Sequence, residues 1–367
     1  MKVLIVSFSN SVNYGAVLQI YCLKKRIEQF GHSVSVLNYD FFDIEFLKYN
    51  FNSFLKIKSF KQLLQLFYYL LLLRNRINNR IIRFKQFCQS KLNLTSKLQL
   101  NDLQKDLASY DLVVCGSDQI WNPEITKGLN QIMFCDFNCP NLRKATYSAS
   151  VGSVSIIDNE KMKSEFFKLL QNYDKISVRE RDLKDYIEKN SSIEVYHTLD
   201  PSLLVSKSDL ESIEKDNPRK KQYILVYRLS KYPEINKIAN HISKREGLGI
   251  VEIVSLPFEY RPFKSIKLDA SPEEFLTLFK NAKYVVTDSF HGTTFSIVYR
   301  KNFYTIIPKN RGSRVTNLLD VLHLEDRLIS DLSNDIDLKD IDYNEVDKYL
   351  SDEKSKSEEY LKMILSL

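Results

Sequence analysis

The chain has 367 residues, 44% of them hydrophobic and 27% charged, and its 53 basic against 46 acidic side chains leave a formal charge of +7. Length alone predicts two domains, and the composition is that of an ordinary globular protein. The mild basic excess suits an anionic substrate or an anionic membrane surface; it is too weak to argue for nucleic acid, and no zinc-finger, helix-turn-helix or stacking-platform pattern accompanies it.

Residues 2–8, KVLIVSF, read as a buried strand. This apolar run follows Met1 directly and lacks a basic n-region and a small-residue cleavage site, so it is expected to be a first strand and not a signal peptide. A loop ending in Asn13-Tyr14-Gly15 follows, and Ala16, Ile20, Leu23, Ile27 and Phe30 mark one face of a helix. Residues 32–38 alternate as a second strand. This opening is that of a Rossmann-like domain, but Gly15 is its lone glycine where a dinucleotide loop needs G-x-G-x-x-G, so no cofactor is expected.

Residues 41–90 differ in character. Phenylalanines scattered among lysines lead into the apolar run 63–73, followed by Arg74, Arg76, Arg80 and Arg83. That run is about half of what a bilayer span needs. Two readings stay open: a core or interface helix, or an interfacial helix over residues 60–83 whose arginines meet anionic lipid. The chain is accordingly expected in the cytoplasm, either free or peripheral at the inner face of the membrane.

A strand over 110–115 ends in Gly116-Ser117-Asp118-Gln119-Ile120-Trp121-Asn122-Pro123, which holds the single Trp beside Asp, Gln and Asn. An aromatic ring with amide and carboxylate groups is equipment for holding a sugar, although a capped turn with a packed Trp fits the pattern too. Strands are expected at 144–152, 176–179 and 195–199, and Asp200-Pro201 is a turn signal that closes the first half. The second half restarts with a strand over 222–227, a helix over 234–245 and a strand over 249–255. Ser271-Pro272-Glu273-Glu274 is a capping box opening another helix.

The stretch 283–300, KYVVTDSFHGTTFSIVYR, is a strand, a polar loop and a helix in immediate succession, the site-forming unit of an open α/β sheet. Gly292 would let the backbone approach a ligand, and the first helical turn favours an anion beside His291. A strand over 302–307 and the basic loop PKNRGSR follow, and the tail 344–367 reads as helix. The expected domains are 1–205, with the insertion 41–90, then 206–340, then a C-terminal helix over 341–367. Five cysteines without a regular framework fit a reducing compartment; Cys135 and Cys139 lack a second pair or a nearby His, and no metal is expected.

Six motifs occur in one order: Asn13-Tyr14-Gly15-Ala16-Val17-Leu18-Gln19, Gly116 to Asn122, Ser148-Ala149-Ser150, Ser177-Val178-Arg179-Glu180, Asp200-Pro201-Ser202-Leu203-Leu204 and Thr287-Asp288-Ser289-Phe290-His291-Gly292. In this the chain resembles the polysaccharide pyruvyl transferase family. The resemblance implies an α/β fold of two Rossmann-like domains facing across a cleft, as in GT-B glycosyltransferases. It also implies transfer of pyruvate from phosphoenolpyruvate to a pair of sugar hydroxyls as a cyclic ketal, on a cell-surface polysaccharide or a lipid-linked glycan precursor.

Such chemistry needs a general acid, cationic holders for phosphate and carboxylate, and a base for the hydroxyl. His291 is the expected acid, with Asp118 activating or orienting the acceptor. Arg179, Ser289, Gly292, Lys309, Arg311 and Arg314 are the expected donor-binding residues; for Arg179 the alternative is a salt bridge to Glu180 or Asp182, and for Ser289 a helix cap. Asn13, Gln119 and Trp121 are the expected acceptor side. His32, His197, His241 and His323 have no motif context and read as structural. The rivals are a GT-B glycosyltransferase using a nucleotide sugar, weakened because no Glu follows His291 in its helix to hold a ribose, and a non-catalytic sugar-binding protein on the same fold.

Overall fold

The computed structural model describes residues 1–39, 74–97, 106–137, 139, 141–215, 221–230, 232–254, 265–307, 313–329 and 338–366. The apolar run 63–73 lies outside the described residues.

Two parallel sheets form the frame. The first has the order β2-β1-β3-β4-β5-β6, built from β1 (Lys2–Val6), β2 (Ser33–Val36), β3 (Leu112–Asp118), β4 (Arg143–Ala149), β5 (Ile176–Val178) and β6 (Val195–His197). The second has the order β11-β10-β7-β8-β9, from β7 (Tyr223–Arg228), β8 (Gly249–Val254), β9 (Ser265–Lys267), β10 (Ala282–Thr287) and β11 (Asn302–Thr305). Strands such as LVVCGSD and YILVYR are buried along their whole length, as parallel strands covered on both faces must be.

In each sheet the chain reverses direction once. β1 is flanked by β2 and β3, and β7 by β8 and β10. A crevice opens outside the carboxyl ends of strands at such a reversal, and it is where open α/β sheets bind ligands. The residues beyond β1, β3, β7 and β10 are therefore the ones the fold commits to a site.

The helices named here are α1 (Tyr14–Gln29), α2 (Arg74–Lys91), α3 (Pro272–Asn281), α4 (Phe290–Val298), α5 (Ser313–Val321) and α6 (Tyr343–Leu365). An amphipathic surface helix buries one stripe, but α1 is buried at every position from Tyr14 to Leu23. It lies between the first sheet and the second domain. Tyr14 stacks on Phe275 of α3 at 4.5 Å, tilts against Phe84 of α2 at 4.9 Å, and donates its hydroxyl to the Ala270 carbonyl at 2.8 Å. One continuous apolar cluster therefore runs from Val3 and Ile5 through Tyr14 and Phe84 to Phe275 and Phe295. Separate clusters cover the outer faces of the two sheets.

Two further elements tie the halves together. Arg80 of α2 is buried, donates to the carbonyls of Val254 at 2.5 Å and Val12 at 3.1 Å, and lies over the Tyr14 ring. Arg83 pairs with Glu274 at 2.7 Å and donates to the Asp269 carbonyl at 3.1 Å. Arg80 is thus engaged on both halves and Arg83 on the second domain, while Arg74 and Arg76 are exposed. The C-terminal helix α6 begins on the second domain, where Tyr343 donates to the Lys301 carbonyl at 2.6 Å. It ends on the first, where Ser357 accepts from the Leu199 amide at 2.9 Å and Tyr360 donates to the Thr146 carbonyl at 2.8 Å. Among the described residues no helix is long and apolar enough to cross a membrane.

Truncating a fully buried aromatic costs about 3–5 kcal/mol. Tyr14→Ala is expected to lose that much in a denaturant titration. Because the core is continuous across the seam, both halves are expected to unfold in one shared transition; two separated transitions in the wild type would contradict the continuity.

Candidate functional site

The loop after β10 is locked by its own hydroxyls. Thr287 donates to the Tyr227 carbonyl at 2.6 Å and accepts from the Ser289 amide at 3.0 Å. Ser289 then caps α4 by accepting from the Gly292 amide at 3.2 Å. Asp288 accepts from the amides of Leu229 at 2.6 Å and Ser230 at 2.8 Å, stitching the ends of β7 and β10 together. Burial pushes its carboxyl up, with those amides opposing.

Two expectations change here. Ser289, 2% exposed, is a helix cap. Gly292 serves packing instead of ligand approach: a Cβ there would come 2.2 Å from Thr287 Oγ1. Among the described residues the Phe290 and His291 amides, the first two of α4, have no acceptor, so the helix keeps its anion-favouring end.

His291 projects from this first turn across the seam and is 7% exposed. One side of its ring rests on Gly15 of α1, where an added Cβ would lie 2.1 Å from Nδ1. On the other side Nε2 faces Asp200 Oδ2 at 3.7 Å and is shut off from solvent without a hydrogen-bond partner. The position needs glycine at residue 15 because the imidazole occupies the space of its side chain.

Asp200 is held from every direction. Its Oδ1 accepts from the Ser202 amide at 2.9 Å and hydroxyl at 2.6 Å; its Oδ2 pairs with Arg179 Nη2 at 2.7 Å. Burial by itself would raise this carboxyl, but Arg179 and His291 together hold it well below the usual carboxylate range. Arg179 also donates to Ser117 Oγ, lies 3.7 Å from Asp118 Oδ1, and stacks over the Phe290 ring at 4.8 Å. Its Nε and Nη1 remain buried without hydrogen-bond partners. Of the alternative partners offered for Arg179, neither Glu180 nor Asp182 takes the close ion pair; Asp200 does.

A second cation enters from the second domain. Arg314 of α5 lies over the other ring contact of Phe290 at 5.7 Å and faces Glu180 at 3.8 Å. The Gln119 amide oxygen, turned toward its donors, accepts from Arg314 Nη1 at 3.2 Å and Nη2 at 3.0 Å. Glu180 also accepts from Ser150 Oγ; burial pushes its carboxyl up against the opposing pull of Arg314 and Arg179. A cavity opens between the two arginines, lined by Arg179, His197, Asp200, Phe290 and Arg314. His197 turns Nε2 to the Arg179 carbonyl at 3.0 Å, and burial pushes its ring pKa down.

The structure thus brings His291, Asp118, Arg179, Arg314 and Gln119 to one place. Asp118 sits at the end of β3 with a left-handed φ of 78°, a conformation Asp tolerates better than most residues. Asn13 caps α1 at the cleft edge, its oxygen accepting from the Gly15 and Ala16 amides. Trp121 is a correction. It is fully buried, stacked on Phe134 at 5.3 Å, with its indole N–H donated to the Met133 carbonyl at 3.2 Å, so no face is left for a sugar. Lys309 and Arg311 lie outside the described residues.

Asp200 is the site residue that sequence reasoning passed over. The sequence marks it as a turn and as part of the motif Asp200 to Leu204, but neither signal gives it a role in the site. Among the described residues no three His, Cys, Asp or Glu side chains converge as metal ligands.

The sequence model of the family described as polysaccharide pyruvyl transferase matches residues 13–310. No curated protein matches the chain. Among solved structures, the chain is similar to a UDP-GlcNAc 2-epimerase from Neisseria meningitidis bound to UDP-GlcNAc, at 12% identity and a TM-score of 0.49, with all of both chains covered. It is also similar to the glycosyltransferase SsfS6 of Streptomyces sp. SF2575, complexed with thymidine diphosphate, at 11% identity and a TM-score of 0.46, again with all of both chains covered.

Leaving Arg179 buried without its partner costs about 3–5 kcal/mol, which is the loss expected for Asp200→Asn at neutral pH. The depressed carboxyl of Asp200 contributes stability above the unfolded value, about 3.9, that is lost as pH falls toward the folded one. Denaturant stability measured from about pH 5 to pH 3 is therefore expected to fall less steeply in Asp200→Asn than in the wild type. Parallel curves would contradict the ion-pair assignment.

Proposed function

The chain belongs to the polysaccharide pyruvyl transferase family, and we propose that it transfers pyruvate from phosphoenolpyruvate to two hydroxyls of one sugar as a cyclic ketal. The acceptor is proposed to be a polysaccharide or lipid-linked precursor, handled on the cytoplasmic side. The observation that carries this reading is the site's composition: a histidine on a helix N-terminus, two guanidiniums around one cavity, and an aspartate at the strand end opposite.

The donor is a trianion with a nucleophilic methylene carbon. Arg314 and the open amides of Phe290 and His291 provide charge and N–H donors for its phosphate and carboxylate. Arg179, though committed to Asp200, has no hydrogen-bond partner at Nε or Nη1 and adds positive potential to the same wall. His291 protonates the methylene carbon, leaving a cationic centre at C2. The first sugar hydroxyl attacks there and returns its proton to the imidazole. Phosphate then departs with the C2–O electron pair and takes that proton, and the second hydroxyl closes the ring and restores the imidazolium. Across the sequence one hydroxyl proton ends on the methyl group and the other on phosphate. Asp118, at the reversal point of the first sheet, is the group proposed to orient the acceptor hydroxyl.

A positioned acid contributes about 10²–10⁴-fold to rate. His291→Gln is expected to lower phosphate release from phosphoenolpyruvate with a saccharide acceptor by at least about 100-fold, with thermal unfolding close to wild type. Undiminished turnover would remove His291 from the mechanism. Turnover of a nucleotide sugar with no use of phosphoenolpyruvate would replace this reading with glycosyl transfer.

A further inference from the structure

An acid that protonates carbon has to aim one imidazole nitrogen at the substrate and keep the other out of the reaction. The two nitrogens of His291 lie in different surroundings. Nε2 is closed off from solvent and directed at Asp200 Oδ2, 3.7 Å away. Nδ1 is on the side of Gly15, at the seam between the domains, where the missing side chain makes room for the imidazole. Asp200 cannot turn away, because Ser202 holds one oxygen and Arg179 the other. The Arg179 pairing also keeps Asp200 ionised, so it acts as acceptor only.

We propose that Asp200 is a positioning residue that fixes the His291 ring with its retained proton on Nε2, and that Nδ1, over Gly15, is the nitrogen that delivers the proton. The assignment rests on the pyruvyl-transfer reading for its chemistry but not for its geometry. In the step, the Nδ1–H bond breaks as a C–H bond forms at the donor's methylene carbon. The ring ends neutral, with its remaining proton on Nε2 facing the carboxylate, and Asp200 does not take it. Orientation of an imidazole by a buried carboxylate on its far nitrogen is an arrangement that fixes the tautomer and steadies the charged ring.

The other charges around the ring fit this role. Beyond Asp200 lies Arg179, then Asp118 at 3.7 Å from that guanidinium; Arg314 and Glu180 pair with each other further along the wall. The first turn of α1, which covers the Nδ1 side, carries no acidic residue. No acidic residue of that turn competes for the Nδ1 proton, whereas Nε2 has the Asp200 carboxylate directly before it.

The decisive measurement is read on the wild type, with one variant used only to assign its signals. Wild-type protein labelled with ¹⁵N-histidine is followed by long-range ¹H–¹⁵N correlation across pH, and the His291 signals are identified among those of five histidines by their loss in His291→Gln. The neutral ring is expected as the Nε2–H form with a bare Nδ1; a neutral Nδ1–H form overturns the proposal. Kinetics give the second arm. Asp200→Asn is expected to lower kcat about 100-fold while KM for phosphoenolpyruvate stays within about 3-fold, the pattern of lost orientation instead of lost binding. A kcat within about 3-fold of wild type overturns the positioning role. Gly15→Ala, whose Cβ would meet Nδ1, is expected to show the same loss of kcat. If phosphoenolpyruvate is not a donor, the kinetic arm fails for the wild type also, whereas the tautomer still reports on the pair.

Discussion

The site depends on one buried ion pair, Arg179 with Asp200 at 2.7 Å, with side chains 2% and 0% exposed. Removing two charges from water costs several kcal/mol per ion, and the attraction between them repays this only with good geometry and further hydrogen bonds. Here Ser202 and Ser117 supply those bonds. A hydrophobic pair would pack the same space at no loss of stability, so the ion pair is better understood as the means of holding a carboxylate, ionised and immobile, beneath His291. Each partner comes from a different strand end of the first sheet, and the histidine comes from the second sheet. The arrangement therefore exists only when both domains are in place.

That requirement explains the seam. A cleft enzyme whose domains rotate freely would lose the 3.7 Å approach of Nε2 to Asp200 and the contact of the imidazole with Gly15. The chain prevents this with Tyr14 stacked into the second domain, with Arg80 and Arg83 reaching across, and with α6 laid over both halves. The Ser357 hydroxyl accepting from the Leu199 amide places the end of the chain directly beside Asp200. Packing far from the substrate thus sets distances that the chemistry requires, and misplacement by about 1 Å can cost about 100-fold in rate.

Much of the fold was legible because parallel strands buried on both faces appear as uninterrupted apolar runs, such as Leu112 to Cys115 and Tyr284 to Val286. The strand–loop–helix around His291 was legible for the same reason, with a cap hydroxyl and a glycine at the expected offsets. What the sequence did not show is which charges meet. Arg179 was read as a holder of the donor anion, with its neighbours Glu180 and Asp182 as the alternative partners, but its partner is Asp200, brought close by β6 and the turn that follows. Trp121 stood in a loop of sugar-binding composition, yet its ring was needed beneath Phe134 and Phe166, and local composition carries no information about that face. Gly15 stands as the lone glycine of a loop that lacks the dinucleotide pattern, and the sequence alone offers no reason for its presence. Its reason is an imidazole from the other end of the chain.

The central claim is proton delivery to the methylene carbon of phosphoenolpyruvate at this site. It is tested most directly by running the reaction with a saccharide acceptor in D₂O and weighing the ketal product by mass spectrometry. The account predicts one deuteron in the ketal methyl group of each transferred pyruvyl unit. A ketal methyl free of deuterium, or no ketal formed from phosphoenolpyruvate at all, would contradict it.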